Sequence, residues 1–219
     1  MKIILASQSP RRREILTSLG YEFDIVIPNV NEDLIDGLSP VEFVKLLSRR
    51  KADVVEDLVG ANSVRPQHKT HAIPDTFFTK EDNNETIAII AADTVVAING
   101  QILGKPIDEA DAFNMLNTLS GNQHSVFTGF TVIFLKNKIA NAITDVCETR
   151  VKFKILTDSE ILDYIKTGEP MDKAGSYGIQ GLAKDFIETF DGSLTNVIGL
   201  PADELQAILQ KAGLQPPNQ

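Results

Sequence analysis

The sequence predicts an α/β fold, a mixed twisted sheet flanked by helices. Three observations carry that reading. The chain opens as strand, tight turn and helix; its most apolar stretch, TIAIIAADTVVAING, ends in an Asn-Gly hairpin signal; and two long strand-like segments then follow one another across a short turn. Strands and helices therefore mix without strict alternation, which places the class at α/β or α+β around a mixed sheet. At 219 residues the chain accommodates one large domain or two lobes around a cleft, and it can bury a core without disulfides or structural metal.

Each element has a local cause. KIILA (2–6) is a short apolar strand, and Ser9-Pro10 supplies an N-cap and a first-turn proline for a helix that runs through Leu19 and stops at Gly20. YEFDIVIP alternates as a second strand, and PNVNEDLIDGL is a polar loop. Ser39-Pro40 with Glu42 forms a capping box that opens a helix through about Leu58. From Val59 to about Glu85 (59–85) periodicity is lost and prolines, asparagines, His68 and His71 collect, which reads as a surface-loop insertion. After the Asn99-Gly100 hairpin, ILGKPIDEADAFNMLNTLSG returns a strand and enters a helix ended by Gly121. HSVFTGFTVIFL and ITDVCETRVKFKIL flank the turn KNKIAN as antiparallel strands, and DSEILDYIKTG is a short helix. EPMDKAGSYGIQG is too rich in glycine for a regular element. DFIETFDGSLTNVIGLP reads as strand, turn and a second strand or loop, ADELQAILQKAG as a terminal helix, and QPPNQ as a frayed end.

Composition narrows the function. Hydrophobic residues make up 42% and charged residues 23%, as in ordinary soluble globular chains. The single cysteine, Cys147, cannot form an internal disulfide, which points to a reducing compartment such as the cytoplasm. The first residues, MKIILASQSP, hold too short an apolar run for a signal-peptide core, and no stretch approaches a membrane span. A net charge of -9 argues against broad nucleic-acid binding, which needs a basic face. Against that acidic background, any basic cluster has the character of a grip on a small polyanion.

Such a cluster stands in LASQSPRRREIL. A helix start already carries partial positive charge, so Arg11, Arg12 and Arg13 there call for a negative partner. Ser7, Ser9, the backbone N–H groups of the helix start and one or more arginines would form a phosphate cradle. The alternative is a capped surface helix with its arginines in water. Successive helical residues point about 100° apart, so at most two of the three can converge on one ligand.

Asp93 interrupts an apolar strand, where an ionised carboxylate needs a cation, hydrogen-bond donors, a metal or a catalytic role. A strand-end bulge is the alternative. Lys51 falls on the apolar stripe of its helix with Val44, Leu47, Val54, Val55 and Leu58, so it either snorkels past the core edge or reaches an anion. Glu32 is a loop acid with Asp33 and Asp36 as equal candidates, and Lys105 and Lys173 sit beside glycines as phosphate contacts or plain turn residues. His124, at a strand start, reads as a structural hydrogen-bonder. No HExxH, cysteine pair, P-loop, Rossmann fingerprint or GxSxG is present, which removes the common zinc, kinase-like, dinucleotide and serine-hydrolase readings.

Taken together, LASQSPRRREIL, NEDL, SRRKA, AADTVV, LGKP, LSGNQHSVFTG, GEPMDKAGSYGIQG and NVIGLP resemble the Maf family of nucleotide pyrophosphatases from residue 2 to about 208. Only the stretch before Ile87 has no counterpart. The resemblance implies one Maf-like domain over 1–219, two lobes around a central cleft, an architecture similar to inosine triphosphate pyrophosphatases, and a homodimer. It also implies cleavage of a nucleoside triphosphate between its α- and β-phosphates with Mg²⁺ or Mn²⁺. On that pattern Asp93 is the catalytic base and, with Glu32, a metal ligand, while Lys51 and Lys105 contact phosphate. Ser7, Ser9, Arg11 and Arg12 line the triphosphate end, Lys173 supplies a further contact, and Arg11, Thr94 and Gln180 set base preference. GSYGIQG resembles the branch acting on dTTP and UTP, with modified pyrimidine nucleotides as further substrates. The alternatives are a 7-methylguanosine triphosphate pyrophosphatase and a nucleotide-binding regulator of cell division without turnover. The regulator would be expected to lack the acid at 93 or 32, and both are present.

Overall fold

The computed structural model describes residues 1–61 and 86–216. Strand β1 (Lys2–Leu5) leads into helix α1 (Pro10–Ser18), capped by the Ser9 hydroxyl, which accepts from the Arg12 N–H. Strand β2 spans only Asp24–Ile25, and helix α2 (Pro40–Ala61) follows the loop that carries Glu32. Next come β3 (Ile87–Ile98), β4 (Gln101–Leu103), α3 (Glu109–Leu119), β5 (Gln123–Lys136) and β6 (Ile139–Phe153). Helix α4 (Asp158–Ile165), short 3₁₀ turns through the glycine-rich stretch, β7 (Ile187–Asp191), α5 (Leu194–Ile198) and α6 (Ala202–Lys211) complete the fold.

The expected capping box is present. Ser39 N–H and Oγ donate to Glu42 Oε2, and Glu42 N–H donates back to Ser39 Oγ. Asn99 (φ 52°) and Gly100 (φ 79°) make the two-residue hairpin turn between β3 and β4, as their left-handed preference requires.

Four boundaries differ from the sequence reading. The YEFDIVIP strand contracts to two residues, because only Asp24 and Ile25 pair in register with β1, while Val26 adds a single N–H bond to the Leu5 carbonyl. The turn between β5 and β6 is tighter than KNKIAN, since Asn137 and Lys138 alone take positive φ. The segment after β7 becomes a helix, with the Ser193 hydroxyl accepting from Asn196 N–H as its cap. Helix α2 extends through Ala61 with Val59 buried, so the expected insertion cannot begin at 59; its remaining residues to 85 lie outside the described residues.

The sheet runs β2-β1-β3-β5-β6-β7, with β4 also on β3. Along one edge of β3, Ile87–Ile90 pair with β1 in parallel and Val96–Ile98 pair with β4 antiparallel. The other edge is paired to β5 along almost its whole length. A gap from Ala91 to Val95 therefore remains between β1 and β4, and it opens the cleft at the carboxyl end of β1.

The alternation of side chains along β3 decides what faces where. On one face, Ala88, Ile90 and Ala92 join the core beneath α1 and α6, whereas Val96 and Ile98 join a separate core with α3 and α4. Thr94 falls at the seam between these two cores. The opposite face is covered by α2, which packs Val55 and Val59 against Ile89 and Ala91, and Phe43, Val44 and Leu47 against Val95. Asp93 falls on this side, directly under α2.

Gly129, the register partner of Asp93 on β5, sets how closely α2 approaches. A Cβ there would lie 2.4 Å from the Val44 carbonyl carbon and oxygen, so any side chain would lift the helix off the sheet. The missing side chain lets a lysine two turns further along α2 reach the carboxylate.

Candidate active site

Asp93 is buried, and Lys51, itself 5% exposed, donates from Nζ to its Oδ1 at 2.7 Å. The same ammonium lies 2.7 Å from Glu32 Oε1, so one lysine bridges two carboxylates. Lys105 Nζ stands 4.0 Å from Glu32 Oε2. The inward lysine of the α2 stripe thus reaches an anion and does not snorkel. Asp93 Oδ2 receives no hydrogen bond from the described residues, which leaves it available to water or a ligand. Burial acts to raise the Glu32 pKa, but Lys51, Lys105 and Arg12 outweigh it and hold the carboxyl below its ordinary value.

The three arginines divide as helical geometry requires. Arg13 is exposed, Arg11 lines the cleft, and Arg12 turns back beneath the helix start. Arg12 Nε donates to the Gly199 carbonyl at 2.7 Å, Nη2 to Thr94 Oγ1 at 3.1 Å and Nη1 to Ser7 Oγ at 3.4 Å. Burial lowers the pKa of this guanidinium while Asp93 and Glu32 raise it, and arginine stays charged throughout the working range. Ser7 Oγ also accepts from Ser9 N–H at 3.1 Å. Its hydroxyl proton is left over and is suited to an anionic oxygen. Thr94 lines the cleft, yet its hydroxyl is engaged by Arg12 and by Thr128 Oγ1 at 2.9 Å.

The far wall is the glycine-rich segment. Lys173 Nζ donates to the Glu169 carbonyl and to Asp172 Oδ1, both at 2.6 Å, so this lysine is partnered within its own loop. Glu169 is a clasp that sequence reasoning missed. Its Oε1 accepts from Tyr164 OH at 3.1 Å and its Oε2 from Leu182 N–H at 3.1 Å. A Cβ on Gly181 would strike the Glu169 carboxylate at 1.9 Å, so a side chain there would push this clasp aside. Gln180 precedes that glycine, is exposed and lines the cleft without a hydrogen bond to the described residues. Below it, Tyr177 OH meets His124 Nε2 at 2.7 Å, and His124, Tyr177 and Phe153 pack edge to face. Burial pushes the His124 pKa down to about 4, so this histidine is a neutral structural partner, as its position at a strand start suggests.

The cleft has a volume of about 870 Å³, the size of a small-molecule site. Arg11, Arg12, Lys51, Lys105 and Lys173 line it against Glu32, Asp93 and Asp172. Five cations against three anions leave an excess of two positive charges, in a chain whose net charge is -9. Asp93 and Glu32 supply hard oxygen donors of the kind Mg²⁺ and Mn²⁺ take. No cluster of three or more His, Cys, Asp or Glu side chains able to hold a metal occurs among the described residues, so further ligands would have to come from a substrate or water.

A seam between two cores, with a lysine-bridged pair of carboxylates on one side and a braced arginine on the other, has the charge and the hydrogen-bond donors that suit a polyanion. The chain matches the family described as Maf-like protein over residues 2–212, and it belongs to that family. It is 43% identical over 212 residues to a dTTP/UTP pyrophosphatase of Clostridium perfringens, covering 96% of each chain. It is 44% identical over 216 residues to a protein of the same name from Agathobacter rectalis, covering 97% of this chain and 98% of that one. A third, from Vibrio cholerae, is 42% identical over 210 residues, covering 96% and 97%. Among solved structures, the chain is similar to the Staphylococcus aureus Ham1 protein at 14% identity and a TM-score of 0.43, covering 97% of this chain and all of that one.

Proposed function

We propose that this protein hydrolyses dTTP and UTP to the monophosphate and pyrophosphate. The observation that carries the reading is the buried Lys51 bridging Asp93 and Glu32 in the cleft that Arg12 borders. Its relatives over nearly the whole chain bear the name of that activity.

In this reading Asp93 is the general base. Lys51 fixes one carboxylate oxygen, and the other orients a water and takes its proton as the water attacks the α-phosphorus. Arg12, Lys51 and Lys105 neutralise charge on the triphosphate, and Ser7 donates its hydroxyl proton to a phosphate oxygen. A triphosphate carries about four negative charges near neutral pH, more than the cleft's cationic excess offsets. A divalent cation held by Asp93, Glu32 and substrate oxygens would supply the missing charge and polarise the phosphate.

Gln180 and Arg11 face the base. A glutamine amide pairs with both a donor and an acceptor on a pyrimidine edge, and both side chains lack hydrogen bonds to the described residues. Thr94 contributes to substrate binding through Arg12, and Lys173 by shaping the loop.

Among the described residues no helix is long and apolar enough to cross a membrane. The lone Cys147 supports a reducing, cytoplasmic setting, and the family resemblance supports a homodimer, which light scattering on the purified protein checks. The test of function is a pyrophosphate-release screen across nucleotides with Mg²⁺ or Mn²⁺. UTP and dTTP should be cleaved much faster than ATP, GTP or 7-methylguanosine triphosphate, and a preference for the last would reassign the substrate.

A further inference from the structure

Two buried residues that do not line the cleft control the direction of the hydrogen bonds that brace Arg12. Thr128 and Asn196 are both 0% exposed. Thr128 Oγ1 donates its only proton to the Asn196 backbone carbonyl at 2.8 Å. The 2.9 Å contact between Thr94 Oγ1 and Thr128 Oγ1 can then run one way only, with Thr94 as donor. That leaves the Thr94 oxygen as an acceptor, aimed at Arg12 Nη2. If the Thr94 proton pointed at the guanidinium instead, two donors would face each other.

The origin of this chain of bonds is itself fixed. Asn196 Nδ2 donates to the Val126 carbonyl at 3.0 Å and to Thr149 Oγ1 at 2.9 Å, and its backbone N–H bonds the capping Ser193 hydroxyl. Thr94 and Thr128 are direct cross-strand partners at the seam, with Ala92 and Phe130 in the core on one side and Val96 and Val126 in the core on the other. The relay therefore sits where the two cores meet. Three of the five N–H groups of Arg12 are committed to Gly199, Ser7 and Thr94, which leaves two for a ligand.

We propose that Thr128 and Asn196 are positioning residues for substrate phosphate, acting through Thr94 on the Arg12 guanidinium. The proposal deepens the pyrophosphatase reading and rests on it. It differs from a general packing role because β5 carries a built-in control. Thr131, also 0% exposed, bonds Ser48 Oγ at 3.1 Å and Thr144 Oγ1 at 3.0 Å on the α2 face, away from Arg12. Breaking either relay costs a buried hydrogen bond, but only one of them orients a cation in the cleft.

The experiment compares Thr128→Val, Thr128→Ser and Thr131→Val in the full chain. It measures melting, KM and kcat for dTTP, and calorimetric binding of inorganic tripolyphosphate, a probe with no base. Thr128→Val should raise KM and weaken tripolyphosphate binding about tenfold, the scale of a hydrogen bond to a charged group. Thr128→Ser should restore both to within about twofold, as a retained hydroxyl predicts. Thr131→Val should lower the melting temperature and leave both constants unchanged. Should Thr128→Val fold poorly, Thr94→Val removes the acceptor that the relay orients toward Arg12 and should weaken binding at least as much. The proposal is overturned if folded Thr128→Val or Thr94→Val grips tripolyphosphate normally, if serine fails to rescue, or if Thr131→Val weakens binding equally. Wild-type protein that binds tripolyphosphate but releases no pyrophosphate from dTTP or UTP would defeat the pyrophosphatase reading, while the relay would still be judged by the tripolyphosphate arm.

Discussion

The two ends of the cleft are built differently. At the end proposed to hold phosphate the charged groups are cross-linked within the protein itself: Lys51 holds Asp93 and Glu32, and Arg12 is tied at three points. At the end proposed to hold the base Arg11 and Gln180 line the cleft with no hydrogen bonds to the described residues, and the bracing comes from neighbouring Glu169, Tyr177 and His124. Charge that must be stabilised during a reaction is best met by groups already oriented, because reorienting them at that moment costs energy. Selectivity among bases needs only that a mismatched edge leave a polar group unpaired, so its residues can be left uncommitted on a fixed loop.

The comparison is broken most severely at Asp93. Asp93→Asn should keep the fold and nucleotide binding while lowering kcat by about 10²-fold or more, the range for loss of a positioned base. Near-normal pyrophosphate release from a folded Asp93→Asn protein would remove Asp93 from the chemistry. Lys51→Ala should cost both activity and stability. Its loss leaves a buried Asp93 without its cation, a situation worth about 3–5 kcal/mol, and denaturant unfolding measures it. Adding Asp93→Asn to Lys51→Ala should recover part of that stability, because the unpaired charge is gone.

These two residues were also the most legible in the sequence, for one reason. A charge on an otherwise apolar period, Asp93 in its strand and Lys51 on its helix stripe, breaks a pattern that burial imposes, and the structure joins the two. Residue patterning could not separate Glu32 from Asp33 and Asp36, because a loop has no period to break; the family resemblance picked it, and its approach to Lys51 gives the physical reason. The division among Arg11, Arg12 and Arg13 was bounded by helical angle, but the inward choice depended on Gly199, far along the chain. Thr128, Asn196 and Glu169 stood inside LSGNQHSVFTG, NVIGLP and GEPMDKAGSYGIQG without a role, since a neutral hydroxyl or amide in a strand or turn gives no sign of which proton it donates. The LTNVI helix was missed because α5 is a single capped turn, too short to show a period.

At the base end the expected effects are smaller. Gln180→Ala should narrow the preference for UTP and dTTP over purine nucleotides more than it slows turnover. Each mismatched polar group is worth about 1–3 kcal/mol, and competition assays between UTP and GTP read the change. An unaltered nucleotide ranking would return the specificity to Arg11 or elsewhere.

The loop's support also carries a pH dependence, read in stability and not in turnover. His124 is depressed from 6.5 to about 4 by burial, so between those values the unfolded chain binds a proton that the native state does not. Stability should therefore rise with pH from about 4 to 6.5 and level off above. His124→Phe should flatten that slope, and melting curves across the range check it. An unchanged slope would show that other groups set it.

The central claim is that water held by Asp93 attacks the α-phosphorus. The direct measurement is turnover of dTTP with Mg²⁺ in ¹⁸O-labelled water, with mass spectrometry of both products. The account predicts one labelled oxygen in the thymidine monophosphate and none in the pyrophosphate. Label in the pyrophosphate, or a diphosphate and inorganic phosphate as products, would contradict it.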